Sequence, residues 1–340
     1  MSKQKVSIVI PCRNEAKYIQ KNIESILAQD YEGEITALIC DGESDDGTVE
    51  IVQKLANDNP GKVRLINNPD RFTPQALNLG IRAQDFDVFI ILGGHAYLKE
   101  DFVRRNIEEL EKDNAVGCAG GVINNIYENK DGEIISRAMS SKFAVGNATF
   151  RTGGKKGYVD TVAFGAYRKE VYEKIGGFDE VLVRNQDDEY NYRVTSEGFK
   201  ILFDPSIESF YYVRGNIQKL WNQYFQYGYW KVFIGKKHKA VTTLRQLVPL
   251  IFVLGLIVGG VLSLIIPNFY LLYSAGVLSY VFLAILFGAK SAKPGSPEGL
   301  KIALIFAILH LSYGFGYLKG IIHFIFMGKN PSEKSKALTR

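Results

Sequence analysis

The chain has 340 residues, enough for one large soluble domain with a smaller region beside it. Its net charge of +5 is modest, and the soluble part lacks the interleaved aromatic and basic residues of nucleic-acid-binding proteins, which argues against such a partner. Three cysteines are scattered without a CxxC pair, so their spacing indicates neither a zinc site nor a disulfide framework. They are typical of small buried residues in a reducing compartment.

Short apolar strands alternate with helical patterns at the start of the chain. The predicted strands are 6–10, 35–40, 63–66 and 88–92, and helical patterns at about 19–27, 48–56 and 74–83 lie between them. This βαβα order predicts an α/β fold with a Rossmann-like, mostly parallel sheet and helices on both faces. The apolar run 6–10 is too short for a signal peptide, so we expect the soluble domain to stay in the cytoplasm.

Polar residues follow three of the predicted strands, at 11–15, 41–48 and 93–95. Ligands of such sheets bind beyond the carboxyl ends of the strands, so the three polar clusters predict one binding site. Acidic side chains there can hydrogen-bond a ribose or a base edge, and Glu15 and Asp41 are the candidates. Asp46 is expected instead to build the turn and cap the helix that begins at Thr48.

The pattern weakens after residue 122. The segment 124–157, with its glycine-rich stretch 153–157, indicates a mobile loop, which we expect to act as a lid beside the crevice. A predicted strand at 163–167 and a turn at 176–179 follow, and then a helix at about 187–196 opens with Asp187, Asp188 and Glu189. The helix dipole accounts for one or two of these acids. Three crowded carboxylates raise the proton affinity of one member, as a general base requires.

The last third of the chain has the composition of membrane spans. We predict a soluble domain at 1–215, an amphipathic interface helix and linker at 216–243, a transmembrane region at 244–328 and a basic tail at 329–340. The apolar stretches 246–266, 269–288 and 302–327 are each near the ~20 residues that cross a bilayer, and neighbouring lysines suit anionic membrane lipids. The third contains His310, Lys319 and His323, so two crossings with a re-entrant or interfacial segment are the alternative to three.

The stretch from Val6 to Trp230 resembles family 2 glycosyltransferases of the GT-A fold, in particular the succinoglycan-biosynthesis branch. The motifs that carry the resemblance are Ile8-Val9-Ile10-Pro11-Cys12-Arg13-Asn14-Glu15, the block Asp41 to Thr48, Asp160-Thr161-Val162-Ala163-Phe164-Gly165, Gly176-Gly177-Phe178-Asp179-Glu180 and Asn185-Gln186-Asp187-Asp188-Glu189. Together and in this order they are much more specific than any one of them.

The resemblance implies a nucleotide-sugar donor and a role for each matching residue. Asp187 would be the catalytic base of an inverting displacement. The donor site would contain Pro11, Arg13, Glu15, Asp41, Gly93 and His95, and the acceptor or diphosphate region would contain Asp188, Glu189, Arg214, Gln223 and Trp230. Arg214 has the clearest electrostatic reason to meet a diphosphate.

The chain departs from the family where most members carry Asp-x-Asp for a divalent cation, because it has Gly93-Gly94-His95 there. One alternative is that His95 still binds the metal, with Mn²⁺ better suited to an imidazole than Mg²⁺. The other is that arginines and lysines neutralise the diphosphate and the metal is optional. We expect weak or unusual metal dependence.

These observations predict a multi-pass enzyme of the inner membrane with a cytoplasmic catalytic domain, which transfers a sugar to a lipid-linked or polysaccharide acceptor. One alternative is a catalytically inactive sugar-nucleotide-binding or scaffold subunit of a polysaccharide assembly complex, which the missing aspartate favours. The other is a channel-forming synthase, which three apolar segments would build only as an assembly of several subunits. The sequence does not identify the sugar, the nucleotide or the acceptor.

Overall fold

The computed structural model describes residues 3–213, 215–240 and 244–331. The strands are β1 Val6–Cys12, β2 Ile35–Asp41, β3 Val63–Asn67, β4 Val88–Ile91, β5 Ala96–Leu98, β6 Val116–Ile126, β7 Gly157–Val159, β8 Ala163–Arg168 and β9 Lys200–Tyr212. The helices are α1 Ile19–Leu27, α2 Thr48–Asp58, α3 Thr73–Arg82, α4 Phe102–Lys112, α5 Lys130–Met139, α6 Lys142–Val145, α7 Thr149–Thr152, α8 Lys169–Ile175, α9 Gln186–Ser196, α10 Ile217–His238, α11 Val248–Ile265, α12 Phe269–Ser291 and α13 Gly299–Gly320, which continues as a π-helix at Ile321–Phe326.

The chain divides into two compact units. Met1–Asn125 and Ala148–Tyr212 form the first, and Ile126–Asn147 and Val213–Arg340 form the second. Within the predicted soluble domain 1–215, the segment Ile126–Asn147 groups with the C-terminal helices. That segment also lies within the stretch where the sequence pattern weakened, and it contains α5 and α6.

A mixed sheet forms the centre of the first unit, and its described strands run in the order β3-β2-β1-β4-β8-β6-β9-β5, with β7 paired to β9. The first four strands are parallel, because each is joined to the next by a helix that returns the chain to the same edge. From β8 onward the printed pairings are antiparallel. The α/β prediction is confirmed, and the predicted parallel order describes its N-terminal half.

Alternating residues of the central strands pack on opposite faces of this sheet. Ile8 and Ile10 of β1 join one apolar cluster with residues of α1 and α4, while Val9 joins the other with residues of α3, α8 and α9. Cys12, Cys40 and Cys118 are buried, as the sequence predicted. Burial raises the pKa of the Cys40 thiol to about 12, so it stays protonated and unreactive.

The second unit consists of helices. Three of its described helices are long and apolar enough to cross a membrane: Arg245–Ile265, Phe269–Ser291 and Gly299–Phe326. Most side chains of α11 and α12 point outward, as in lipid-facing spans. Helix α13 is different, since half of its most apolar stretch is buried inside the protein.

Glycines let α13 approach α10 closely. A Cβ on Gly316 would lie 2.0 Å from the carbonyl oxygen of Phe225, and one on Gly228 would lie 2.1 Å from that of Tyr313. Since neither position tolerates a side chain, the two backbones are in direct contact, as at small-residue interfaces of membrane helices. On the other end of α13, Ile302, Ile305 and Phe306 share an apolar cluster with α5.

Candidate active site

The carboxyl ends of β1, β2 and β4 meet at one edge of the sheet. Cys12 and Asp41, the last residues of β1 and β2, are register partners, and the amide of Gly42 donates to the carbonyl of Cys12 at 2.8 Å. Beyond β4, the amide of Leu92 donates to the carbonyl of Val9 at 3.0 Å. The polar clusters that follow these strands, including half-buried Pro11, Arg13 and Gly93, therefore start from the same edge.

Asp41 is the centre of a hydrogen-bond network between the first two clusters. Only 4% of this residue is exposed, and its carboxylate accepts hydrogen bonds from the amide and the hydroxyl of Ser44. The Ser44 hydroxyl oxygen in turn accepts from the amide of Asn14, which has a left-handed backbone with φ of 55°. Asn14 also exchanges two hydrogen bonds with Asp45. The loops after β1 and β2 thus hold each other in place.

Asp46 has a structural role, as the sequence indicated. Its carboxylate accepts from the amide and hydroxyl of Thr48 at the start of α2, and from the amide of Ala16 at 3.1 Å. Partial burial raises the pKa of Asp46, but these hydrogen bonds outweigh that effect and hold the pKa below its ordinary value. Asp46 therefore joins the α2 turn to the loop after β1.

Glu15 and His95 form a close pair. The carboxylate Oε1 of Glu15 lies 3.2 Å from Nδ1 of His95, and the two side chains are 4% and 14% exposed. Glu15 is fixed by its backbone, because its amide donates to the Thr48 hydroxyl at 2.9 Å. Tyr211 packs edge-on against the imidazole from β9. The resemblance implied a nucleoside contact for Glu15, and in this structure its carboxylate faces His95.

The two glycines before His95 have different surroundings. A Cβ on Gly94 would lie 3.0 Å from Cγ of Glu15, so the absence of a side chain lets Glu15 lie against the turn. A Cβ on Gly93 would lie 3.7 Å from the nearest carbons of His95 and Phe164, which is an ordinary van der Waals distance. Position 93 therefore has room for a side chain beside the imidazole.

Asp187 lies half-buried in the first turn of α9, just after Asn185, which has a left-handed φ of 58°. Asn191 is four residues further and so lies on the same face of the helix. Fully buried, Asn191 donates to the Thr161 hydroxyl and accepts from the Tyr167 hydroxyl, both at 2.9 Å. These contacts fix the face of α9 that carries Asp187 against β8 and the residues before it.

The Tyr167 hydroxyl is held in its protonated form. Burial raises its pKa well above the ordinary value, and the negative charge of Asp187 adds to the effect after that of Cys118. Tyr167 therefore stays protonated at physiological pH and donates a hydrogen bond to Asn191. Strand β8 runs antiparallel to β4, with Ala166 opposite Ile90, so the start of β8 lies beside the end of β4.

Glu189 is fully buried and tied to Arg193. Both of its oxygens accept from Nε of Arg193 at 3.1 Å, and Nη2 adds a bond at 3.0 Å. Arg193 also donates to the carbonyls of Ile175 and Gly177, at 2.6 and 2.8 Å. Glu189 therefore anchors α9 to the turn after α8. Asp188, the third acid of the cluster, is half-buried, and its amide donates to the Asp187 carboxylate.

The remaining predicted residues do not belong to the described part of the first unit. Arg214 is outside the described residues, while Gln223 and Trp230 belong to α10 in the helical unit. Gln223 is buried and donates to the Tyr227 hydroxyl at 2.7 Å. Trp230 is fully buried and contacts Tyr229 and Phe233 edge-on. In this structure its indole ring is a packing element of α10.

The side chains at this edge do not fit a divalent cation held by the protein alone. Within residues 3–213, 215–240 and 244–331, no cluster of three or more histidine, cysteine, aspartate or glutamate side chains could hold a metal. Mg²⁺ and Mn²⁺ sites need several oxygen or imidazole ligands, whereas position 93 has no side chain and Nδ1 of the candidate ligand His95 faces Glu15.

Sequence reasoning missed the asparagines that support this edge. Asn78 of α3 donates to the Phe178 carbonyl and accepts from the Phe178 amide, and so holds the turn after α8. Asn191 holds α9, and Asn22 of α1 contacts the turn at His95. The signal for Asn22 is its position among Ile19, Ile23 and Ile26 on the apolar face of α1, because a buried amide requires partners.

This mixed sheet, with polar clusters at the ends of its parallel strands, is a GT-A fold. The glycosyl transferase family 2 model matches residues 7–176, and the chain belongs to that family. It is a glycosyltransferase, and three of its described C-terminal helices are long and apolar enough to cross a membrane.

Relatives of known name match over nearly the whole chain. One is the dolichyl N-acetyl-alpha-D-glucosaminyl phosphate 3-beta-D-2,3-diacetamido-2,3-dideoxy-beta-D-glucuronosyltransferase of Methanococcus voltae, which is 31% identical over 93% of this chain and 97% of that protein. Another is succinoglycan biosynthesis protein ExoA of Rhizobium meliloti (strain 1021), 28% identical over 93% of this chain and 95% of that protein.

A solved structure with the same fold is the mannosyltransferase PcManGT from Pyrobaculum calidifontis in complex with GDP-Man and Mn²⁺. It superimposes with a TM-score of 0.64, covers 94% of this chain and 88% of its own, and is 17% identical. At that identity the likeness concerns the fold.

Proposed function

We propose that this protein is an inverting glycosyltransferase that moves a sugar from a nucleotide-sugar donor to a lipid-linked or polysaccharide acceptor at the cytoplasmic face of the membrane. The observation that carries the proposal is the placement of Asp187, on the face of α9 that Asn191 fixes against Thr161 and Tyr167. A base must be held by its surroundings to meet an acceptor hydroxyl, and Asp187 is held in that way.

The reaction is a single displacement. The acceptor hydroxyl approaches the anomeric carbon, and the Asp187 carboxylate takes its proton as the new carbon–oxygen bond forms. The bond between the anomeric carbon and the diphosphate oxygen breaks on the opposite side, so the anomeric configuration inverts. The nucleoside diphosphate leaves with the electron pair of that bond.

Asp41 is the donor-binding residue that the geometry supports best. It ends β2 at the ligand-binding edge, and Ser44 fixes its carboxylate. An acidic residue in this position of a nucleotide-binding sheet accepts hydrogen bonds from the ribose or the base. The bonds between Asn14 and Asp45 keep the adjoining loops in register, so the nucleoside meets a preformed surface.

The membrane helices and the relatives support a lipid-linked or polymeric acceptor. Three described helices can cross a bilayer. The relative from Methanococcus voltae is named as an enzyme acting on a dolichyl-linked sugar phosphate, and that from Rhizobium meliloti as a protein of succinoglycan biosynthesis. An acceptor anchored in the bilayer explains why the catalytic unit and membrane helices are joined in one chain.

Sugar transfer by the purified, detergent-solubilised chain tests the proposal, with a panel of UDP-, GDP- and dTDP-sugars and a membrane lipid extract as acceptor. Asp187→Asn should lower kcat by about 10²- to 10⁴-fold while nucleotide binding persists. Asp131→Asn is the matched control, because Asp131 is likewise the second residue of a helix and lies at the positive end of that helix's own dipole. NMR of the product should show an inverted anomeric centre.

The same experiment distinguishes the enzyme from the inactive scaffold subunit, the alternative that the glycines at 93 and 94 favour. Nucleotide binding without turnover for every donor in the panel would replace the enzyme proposal by the scaffold. Activity that survives in Asp187→Asn would move the base to another residue, and a product with retained configuration would exclude the single displacement.

A further inference from the structure

Two side chains of α1 and one just beyond its C-terminal end hydrogen-bond to the backbone that runs from the His95 turn into α4. Asn22 and Ser25, three residues apart, share one face of the helix, and Gln29 follows two residues after the last helical residue, Leu27. All three reach groups that are about 70 residues away in sequence. This polar ladder is the set of contacts from which the inference starts.

Asn22 holds both flanks of His95. Its Nδ2 donates to the carbonyl of Gly93 at 3.0 Å and to the carbonyl of Ala96 at 2.8 Å. Between them the Ala96 amide donates to the Gly93 carbonyl at 3.0 Å, which closes a tight turn with His95 inside it. Asn22 is fully buried, so each of these bonds forms away from water and is costly to lose.

Ser25 and Gln29 continue the ladder along β5 and into α4. The Ser25 hydroxyl accepts from the Leu98 amide at 3.1 Å. Gln29 donates to the Lys99 carbonyl and accepts from the Val103 amide, both at 2.8 Å. Since β5 is the last strand of the sheet order, the Ser25 bond satisfies a group on its open side, and the Gln29 bonds hold the chain that follows it. Their role is to hold β5, whereas Asn22 acts on the turn itself.

His95 is thus fixed from two directions that both depend on α1. Glu15, whose carbonyl accepts the amides of Tyr18 and Ile19 where α1 begins, meets the imidazole at 3.2 Å. Asn22, one helical turn into α1, donates hydrogen bonds to the backbone on either side of His95. A shift of α1 or loss of the Asn22 amide would move the imidazole relative to Glu15.

We propose that Asn22 is a positioning residue for sugar transfer, which fixes the Gly93–Ala96 turn so that His95 faces the donor diphosphate in one orientation. The proposal rests on the proposed function, since it assigns the turn to donor binding. Asn22 touches no substrate, and it acts only through the carbonyls of Gly93 and Ala96. Misplacing a positioned group by about 1 Å costs on the order of 10²-fold in rate.

The test compares Asn22→Leu with Asn106→Leu. Asn106 is an equally buried helical asparagine, but its Nδ2 donates to Phe102 within its own helix. The side-chain oxygens of Asn22 and Asn106 have no hydrogen-bond partner among the described residues, so the two substitutions remove comparable groups. Asn22→Ser, which keeps one donor in less volume, is the second variant in case Asn22→Leu fails to fold.

Two readouts are recorded for every variant. The first is the imidazole NMR signal of His95 in protein labelled only at its four histidines, assigned with His95→Gln. The second is kcat and KM for the donor that the transfer assay selects. Asn22→Leu should move the His95 signal and lower kcat/KM by about 10- to 100-fold, Asn22→Ser should give a smaller effect, and Asn106→Leu should change neither.

An unchanged His95 signal in the Asn22 variants would overturn the proposal, as would equal losses in Asn22→Leu and Asn106→Leu. If the unaltered protein transfers no sugar from any donor, the proposed function fails instead. The NMR comparison still decides in that case whether Asn22 positions His95, because it needs no turnover.

Discussion

The carboxylate of Glu15 lies 3.2 Å from Nδ1 of His95, at the place where most family 2 members carry a metal-binding aspartate. Both side chains are largely buried, and the absence of a side chain on Gly94 permits their contact. A carboxylate beside a histidine fixes the orientation of the ring. This chain therefore has one oriented imidazole where the family resemblance implies acidic ligands, and we expect an altered response to metal ions.

A carboxylate restored at position 93 should restore metal dependence. Gly93→Asp places its Cβ at ordinary distances of 3.7 Å from His95 and Phe164, so the side chain fits. We expect Mn²⁺ to activate this variant at concentrations on the order of tenfold lower than the parent, because ligand charge sets the affinity for such ions. Titration of Mn²⁺ into dialysed enzyme measures the change.

Gly94→Asp is the matched control, since its Cβ would lie 3.0 Å from Cγ of Glu15 and its charge would oppose that carboxylate. We expect it to lose activity without tighter Mn²⁺ activation. Identical Mn²⁺ curves for Gly93→Asp and the parent would show that a carboxylate at position 93 cannot reach a cation beside His95.

Loss of the Glu189 charge should destabilise the protein. Glu189 is fully buried and makes three hydrogen-bond contacts with Arg193. Glu189→Gln leaves the guanidinium without its counter-charge, and breaking such a buried pair costs about 3 kcal/mol. Thermal unfolding of the detergent-solubilised protein should therefore show a clearly lower Tm.

The double variant Glu189→Gln with Arg193→Gln completes a cycle that isolates the pair. Its loss of stability should be smaller than the sum of the two single losses, because removing the second charge leaves nothing unpaired. Strict additivity would mean that the two side chains contribute independently.

The N-terminal half of the fold was readable because its strands and helices alternate with clear periodicity. The predicted strand at 6–10 and helix at 48–56 correspond to β1 and α2. The short strands β5 and β7 have three residues each and give almost no periodic signal. Residues 126–147 fall in the loop predicted at 124–157 but form α5 and α6, whose apolar residues join a cluster with other helices of their unit.

The sequence could predict that Asp41 ends a strand and that Asp187 begins a helix. The i,i+4 spacing of Glu189 and Arg193 on one helix is a local pattern that favours their pairing. What the sequence could not provide was the pairing of side chains distant in the chain: nothing in the separate motifs shows that Glu15 meets His95, since that contact depends on how two loops 80 residues apart converge. Such pairing depends on tertiary packing, which local patterns do not encode.

The sequence predicts a mobile lid in the segment before β7. At the end of this segment, one side chain forms ion pairs within the first unit. Lys156 pairs with the buried carboxylates of Glu109 and Asp204. Burial raises the pKa of each acid, but hydrogen bonds, from Lys112 and Lys156 to Glu109 and from Ser206 and Lys156 to Asp204, lower both pKa values below the ordinary ones.

Lys156→Gln should therefore lower stability in a pH-dependent way. A depressed carboxylate pKa contributes stability that is present above the unfolded pKa values of 4.5 and 3.8 and is lost as pH falls through the folded ones. We expect a loss of about 1 kcal/mol at neutral pH, since Lys156 is partly exposed, and a smaller difference near pH 3. Thermal melts at both pH values, with exposed Lys155→Gln as control, measure it. An equal difference at both pH values would contradict the assignment.

Cysteine labelling from each side of the membrane will decide whether α13 crosses it. The native cysteines are at most 5% exposed, so single cysteines at Pro267, Pro294 and Lys329 will report with little background. We expect Lys329→Cys to label from the same side as Pro294→Cys, and Pro267→Cys from the other.

The reason is that α13 is half buried and packs along α10 through Gly316 and Gly228, while α11 and α12 bury only 11% of their apolar stretches. This arrangement also keeps the basic tail on the cytoplasmic side. Labelling of Lys329→Cys from the side of Pro267→Cys would instead establish three crossings.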